Sequence, residues 1–135
     1  MAGLKEALSE NKNAGILLLA EMSSKGNLIN EGYTKDTVAM ADAHEDFVFG
    51  FIAQHRLKPL TSKPDPAIYM TPGVKLSVGG DALGQQYNTP GSKIAEGTDV
   101  IIVGRGVYGA DDAATAAKLY QEAGWAAYLA RVAAK

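Results

Sequence analysis

The sequence predicts an α/β fold in which helices cover a parallel sheet. Four short segments are apolar throughout, as strands buried on both faces are; a half-exposed strand would alternate. Helical or loop segments separate each from the next, the order that parallel pairing through crossovers requires. No internal repeat or linker divides the 135 residues, so residues 1–135 are read as one unit.

The first helix is expected over Ala2 to Asn11, where Leu4, Ala7 and Leu8 recur at helical spacing and Asn13 suits the end. "GILLLAEM", Gly15 to Met22, is the first strand. After the loop "SSKGNLINEGY", Thr34 caps a helix in which Val38, Met40 and Ala41 face inward. "DFVFGFIA", Asp46 to Ala53, is the second strand, and the three prolines of "QHRLKPLTSKPDP" mark a loop. "AIYMTPG" gives a shorter third strand stopped by Pro72. A long glycine-bearing loop follows, with at most a short helix at "SKIAE". "DVIIV", Asp99 to Val103, is the fourth strand. Asp111 to Val132 is the longest helix, with Ala114, Ala117, Leu119, Tyr120, Ala123, Ala127 and Val132 available for a packed stripe. Two architectures satisfy this order: a small doubly wound sheet, or half of a (β/α) barrel, since eight units need about 250 residues.

Composition excludes several function classes. A net charge of −2 gives no general attraction to nucleic acid or anionic membrane. No apolar run approaches a membrane span of about 20 residues, and the N-terminus lacks the apolar core of a signal peptide. Zero cysteines remove disulfides and thiolates and fit a cytoplasmic protein. The two histidines, His44 and His55, lie apart and are read as solvated. No metal-ligand spacing and no serine–histidine–acid set is present, so neither a metal nor a catalytic residue is assigned.

Gly104-Arg105-Gly106, between the last strand and the last helix, is the principal candidate site. Glycines let backbone amides approach a ligand, a following helix start offers unpaired N–H groups, and a guanidinium grips phosphate through paired hydrogen bonds. The loop after the third strand adds Gln85, Gln86 and Tyr87. The alternative is an arginine that caps or salt-bridges a loop, between glycines that only make turns. The segment is neither a Walker loop nor a G-x-G-x-x-G fingerprint. At the first strand's exit, Ser23 and Ser24 either bond a planar ring or form an ordinary polar loop. Glu21 and Asp46 are read as structural, and Tyr120, Trp125 and Tyr128 as packing residues.

"LLLAEMSSKGNL", "DFVFGFIAQ", "MTPGVKLSVGGDALGQQYNTP", "DVIIVGRGVYG" and "AGWAAYLARV" together resemble the second half of the orotidine 5′-monophosphate decarboxylase family. The likeness is to its fungal and animal branch, which includes the decarboxylase domain of uridine monophosphate synthase, and it runs from Leu4 to Val132. It implies half of a TIM (β/α)8 barrel whose strands correspond to the fifth through eighth. It also implies a reaction of pyrimidine biosynthesis, orotidylate to uridylate and carbon dioxide, without metal or organic cofactor. Gln85, Tyr87 and Arg105 then match the residues that hold the 5′-phosphate, with the Gly104 backbone nearby. Ser23 matches the serine on the pyrimidine ring, Pro72 the proline lining the base pocket, and Val74 to Gly84 the phosphate-gripping lid. The family's lysine–aspartate network, written partly as D-x-K-x-x-D, has no counterpart: no D-x-K occurs, and neither Lys35–Asp36 nor Lys63–Asp65 matches.

Such a half has two open edges and an uncovered interior face, and these invite association. The expected ligand is a nucleotide monophosphate, phosphate or sulfate. The expected macromolecular partner is a second copy completing a barrel in a dimer, or a complementary first half; neither nucleic acid nor a membrane is expected. The Met1 start and short basic end suggest an isolated fragment, designed or dissected. A small doubly wound phosphate-binding protein that folds alone is the remaining alternative.

Overall fold

The computed structural model describes residues 1–7, 14–57, 67–76, 79–80 and 86–134. Among them, β1 (Ile16–Leu19), β2 (Val48–Ile52), β3 (Ile68–Thr71) and β6 (Val100–Ile101) form one sheet in the order β1-β2-β3-β6, with every pairing parallel. Strand order therefore follows chain order. A doubly wound sheet reverses order at a switch point; this sheet has none.

Register separates the two faces. Phe51 pairs with Tyr69, and both are buried beside Ala20, Val38, Ala41 and Leu57. Their rings lie 5.7 Å apart, centroid to centroid. Thr71 and Ile101 continue this face; the Thr71 hydroxyl donates to Ala53 O and shares a 2.7 Å hydrogen bond with Thr98. Helix α2 (Glu31–Asp42) packs here through Val38 and Ala41, and α5 (Ala113–Ala133) meets Ile101 beside Gly124. Each large side chain fully removed from water contributes about 1.5–3 kcal/mol, so the fold is held from this side.

The opposite rows are Leu17, Gly50 and Ile68, then Leu19, Ile52, Met70 and Val100. Leu19, Ile68 and Val100 remain about 40 % exposed. Burial on both faces, which the apolar runs led us to expect, is thus corrected to burial on one. An uncovered second face is what the inward-facing side of half a barrel presents.

Local starts differ from the sequence reading for identifiable reasons. Helix α2 begins at Glu31, one turn before the Thr34 cap. Asn30 caps it, accepting from Tyr33 N at 3.0 Å, while Thr34 is buried and its hydroxyl donates to Ala20 O at 2.9 Å. Helix α3 (Pro90–Ala95) starts earlier than "SKIAE" because Thr89 accepts from Ser92 N and Pro90 fits the first turn. The loop between Pro72 and α3 contains a two-residue antiparallel ladder of β4 (Gly79–Gly80) and β5 (Gln86–Tyr87). Helix α1 is described over Ala2–Ala7, and Lys5 clamps both Asp46 oxygens at 2.7 and 2.8 Å. That bond holds the Asp46 carboxyl below its ordinary value.

The stripe proposed for the last helix is corrected most. Of its members only Tyr120 is buried. Trp125 is 60 % exposed and stacks on Tyr128 at 5.2 Å rather than entering the core. Asp112 caps α5 through Ala114 N and Thr115 N, and its hydrogen bond to the Thr115 hydroxyl holds the carboxyl below its usual range. Arg131 fastens the far end, donating to Ile94 O and Thr98 O.

Candidate functional site

The ends of β3 and β6 place their following residues side by side. Ile102 N donates to Thr71 O at 2.9 Å, which brings Gly104 and Arg105 next to Pro72. A cavity of about 190 Å³ opens there, lined by Pro72, Gly73, Val74, Tyr87, Ile102, Gly104, Arg105, Gly106 and Tyr108. Four sequence candidates therefore meet: Pro72, Tyr87, Gly104 and Arg105. Ser23 is half-buried in the loop after β1 and is not among the lining residues. Gln85 lies outside the described residues, as does most of the segment 74–84 read as a lid.

Arg105 is exposed and is the first residue of a one-turn helix, α4 (Arg105–Tyr108), a turn not anticipated because glycine stands at each end. Its guanidinium carbon lies 5.9 Å from the centre of the Tyr87 ring. Tyr87 is held by the neighbouring strand pairing: Asn88 N donates to Gly73 O and Lys75 N to Asn88 O, both at 2.9 Å. The same pairing sets the Lys75 ammonium 4.6 Å from the Tyr87 ring centre. Sequence reasoning placed Lys75 inside the Val74 to Gly84 lid without singling it out, because a single lysine in a loop carries no spacing signal.

The glycines beside Arg105 serve different ends. A Cβ on Gly106 would lie 2.1 Å from the Tyr120 hydroxyl, so this glycine admits the one buried side chain of α5. At Gly104 the nearest atom, in the Tyr108 ring, is 3.4 Å away, an ordinary contact. Packing demands glycine at 106 and does not demand it at 104.

A second set of bonds ties the strand exits together. Glu21 accepts from Gln54 N at 2.7 Å and His55 N at 2.9 Å, and the Gln54 side chain donates to Pro72 O at 3.2 Å. The rim of the sheet is thus fixed from β1 to β3. His55 also approaches Glu21, at 3.3 Å. Lys35 pairs with Glu31 at 2.6 Å on the exposed side of α2, and Lys63 and Asp65 lie outside the described residues.

A larger groove of about 580 Å³ runs between β6 and α5, lined chiefly by Val100, Ile101, Val107, Tyr120, Trp125 and Tyr128. It is mostly apolar and flanks the sheet edge rather than the strand exits. Volume alone would favour it, but the convergence of polar groups favours the smaller cavity.

Chain-order parallel strands, one helix-covered face and a cavity at the strand exits define an incomplete β/α barrel. The family model for orotidine 5′-phosphate decarboxylase / HUMPS proteins matches residues 1–120, and the chain belongs to that family. It is 57% identical over 120 residues to the orotidine 5′-phosphate decarboxylase of Phycomyces blakesleeanus, covering 87% of this chain and 44% of the relative. The enzyme of the same name from Pichia kudriavzevii is 52% identical over 134 residues, covering 97% and 51%. The crystal structure of orotidine 5′-monophosphate decarboxylase from Sulfolobus solfataricus matches with a TM-score of 0.67 at 18% identity, over 93% of this chain and 55% of that one. The chain spans about half the length of the curated relatives it matches.

Proposed function

We propose that this chain is the phosphate-binding half of an orotidine 5′-phosphate decarboxylase, its strands being the fifth through eighth of the barrel. The observation that carries the reading is the meeting of Arg105, Tyr87, Pro72 and Gly104 around one cavity at the exits of β3 and β6. Arg105 and Tyr87, with Gln85, bind the 5′-phosphate of orotidylate or uridylate; Pro72 lines the base pocket, and Ser23 bonds the pyrimidine once the ring is seated. The carboxylate-destabilising lysines and aspartates come from the other half, since this sequence contains no D-x-K. The chain alone is therefore inactive or nearly so, and needs neither metal nor organic cofactor. Its place is the cytoplasm, which the lack of cysteine fits; among the described residues no helix is long and apolar enough to cross a membrane.

The partner is a complementary first half, which would cover Leu19, Ile68 and Val100 and fill the groove beside Trp125 and Tyr128. A second reading is favoured by the same exposed face: two copies close on one another as a dimeric scaffold that keeps an idle phosphate site.

Calorimetric titration tests the site. The chain is expected to bind uridine 5′-monophosphate more tightly than uridine. Arg105→Ala removes charge-assisted hydrogen bonds and should cost about 3 kcal/mol, on the order of 100-fold in affinity. Arg105 is exposed, so the melting temperature should hardly move. Equal affinity of the two proteins for the nucleotide would reject the assignment.

A further inference from the structure

We propose that Lys75 is a second cation of the phosphate grip, acting with Arg105 about the shared Tyr87 ring and selecting doubly charged phosphate monoesters. The inference rests on the phosphate-site reading above and adds a residue to it. Lys75 follows Val74, which is buried and bridged to Asn88, and its own N–H is bonded to Asn88 O. Its backbone is therefore locked one residue from Tyr87 across the pairing. Its ammonium lies 4.6 Å from the ring centre and the Arg105 guanidinium carbon 5.9 Å from the same centre.

The Tyr87 ring attracts each cation only modestly. No carboxylate lies within ion-pair distance of Lys75 among the described residues. An anion of charge −2 in the cavity lined by Arg105 and Tyr87 would attract the Lys75 ammonium as well as the guanidinium. A monoanion or a neutral nucleoside does so weakly or not at all. The two cations have distinct capacities as well: the guanidinium presents a planar fork, whereas the ammonium is a mobile point charge that follows the anion.

The test is titration of the full chain with uridine 5′-monophosphate and with uridine, at low salt, at pH 7.5 and pH 5.5. The phosphate monoester loses its second charge near pH 6. Lys75→Gln is expected to weaken nucleotide binding about tenfold at pH 7.5 and about twofold at pH 5.5, with uridine unaffected. Lys75→Arg, which keeps the charge, should retain most of the affinity. An equal loss at both pH values, or an equal loss for uridine, would show that Lys75 merely holds Tyr87 and overturn the proposal. Unchanged binding in Lys75→Gln, with binding abolished in Arg105→Ala, would overturn Lys75 alone. A wild-type chain that does not prefer the nucleotide to uridine would overturn both the phosphate site and this addition to it.

Discussion

Orotidine 5′-monophosphate is expected to remain intact when mixed with this chain alone, and to be decarboxylated once a separately expressed first half of a related barrel is added. Among the described residues the lysines and carboxylates form surface pairs such as Lys35–Glu31 and Lys5–Asp46, or fix loops, as Arg56 does with Asp99. No lysine or carboxylate among the described residues lines the cavity beside Arg105, although Lys75 lies against the ring of Tyr87, which does. Charge preorganised around the reacting bond commonly contributes most of an enzyme's acceleration, and deleting one such donor costs about 10²–10³-fold in rate. Loss of a whole network should exceed about 10⁴-fold, while binding energy from the remote phosphate survives in the half that carries it. Loss of the orotate absorbance, followed with each half separately and then together, reads the effect. Robust turnover by this chain alone would refute the division of labour.

Gly50→Ala is expected to destroy the cooperative fold. Gly50 lies between Leu17 and Ile68 in the sheet. A Cβ placed there would stand 2.0 Å from Ile68 O, 2.8 Å from its carbonyl carbon and 2.9 Å from its nitrogen. All three are backbone atoms of a paired strand, so no rotamer change relieves the clash. β2 and β3 must separate, with loss of ladder bonds and of the Phe51–Tyr69 contact. Overpacking of this kind costs about 3 kcal/mol, and a unit covered on only one face has little margin to absorb it. Gly3→Ala is the control, because nothing lies within 4 Å of its added Cβ. Urea denaturation followed by circular dichroism should show a normal transition for Gly3→Ala and a lost or strongly shifted one for Gly50→Ala. Matching transitions would contradict the tight β2–β3 approach.

The strands were legible in the sequence because apolar runs of four or five residues bounded by turn signals have few other uses. One-sided coverage was not, since barrel interior and helix-covered face read alike. For α2, Asn30 and Thr34 are both acceptable caps, and the outcome turned on Thr34 being buried against Ala20, a tertiary fact. In α5 alanine occupies so many positions that no 3.6-residue period marks a face; Tyr120 alone is selected, by the gap at Gly106. Around the site, the residue types of Tyr87, Gly104 and Arg105 carried enough chemistry to be picked out from a linear string, whereas Pro72 entered only through the family resemblance. Lys75 did not stand out, because its approach to Tyr87 comes from the pairing of residues 73–75 with Asn88.

Amide chemical-shift mapping by NMR tests the central claim most directly. Titration of the labelled chain with uridine 5′-monophosphate should move the amides of Gly73, Lys75, Tyr87, Gly104, Arg105 and Gly106 together, along one saturable curve. Shifts confined to the groove beside Trp125 and Tyr128, or no saturable shift at Gly104 and Arg105, would contradict it.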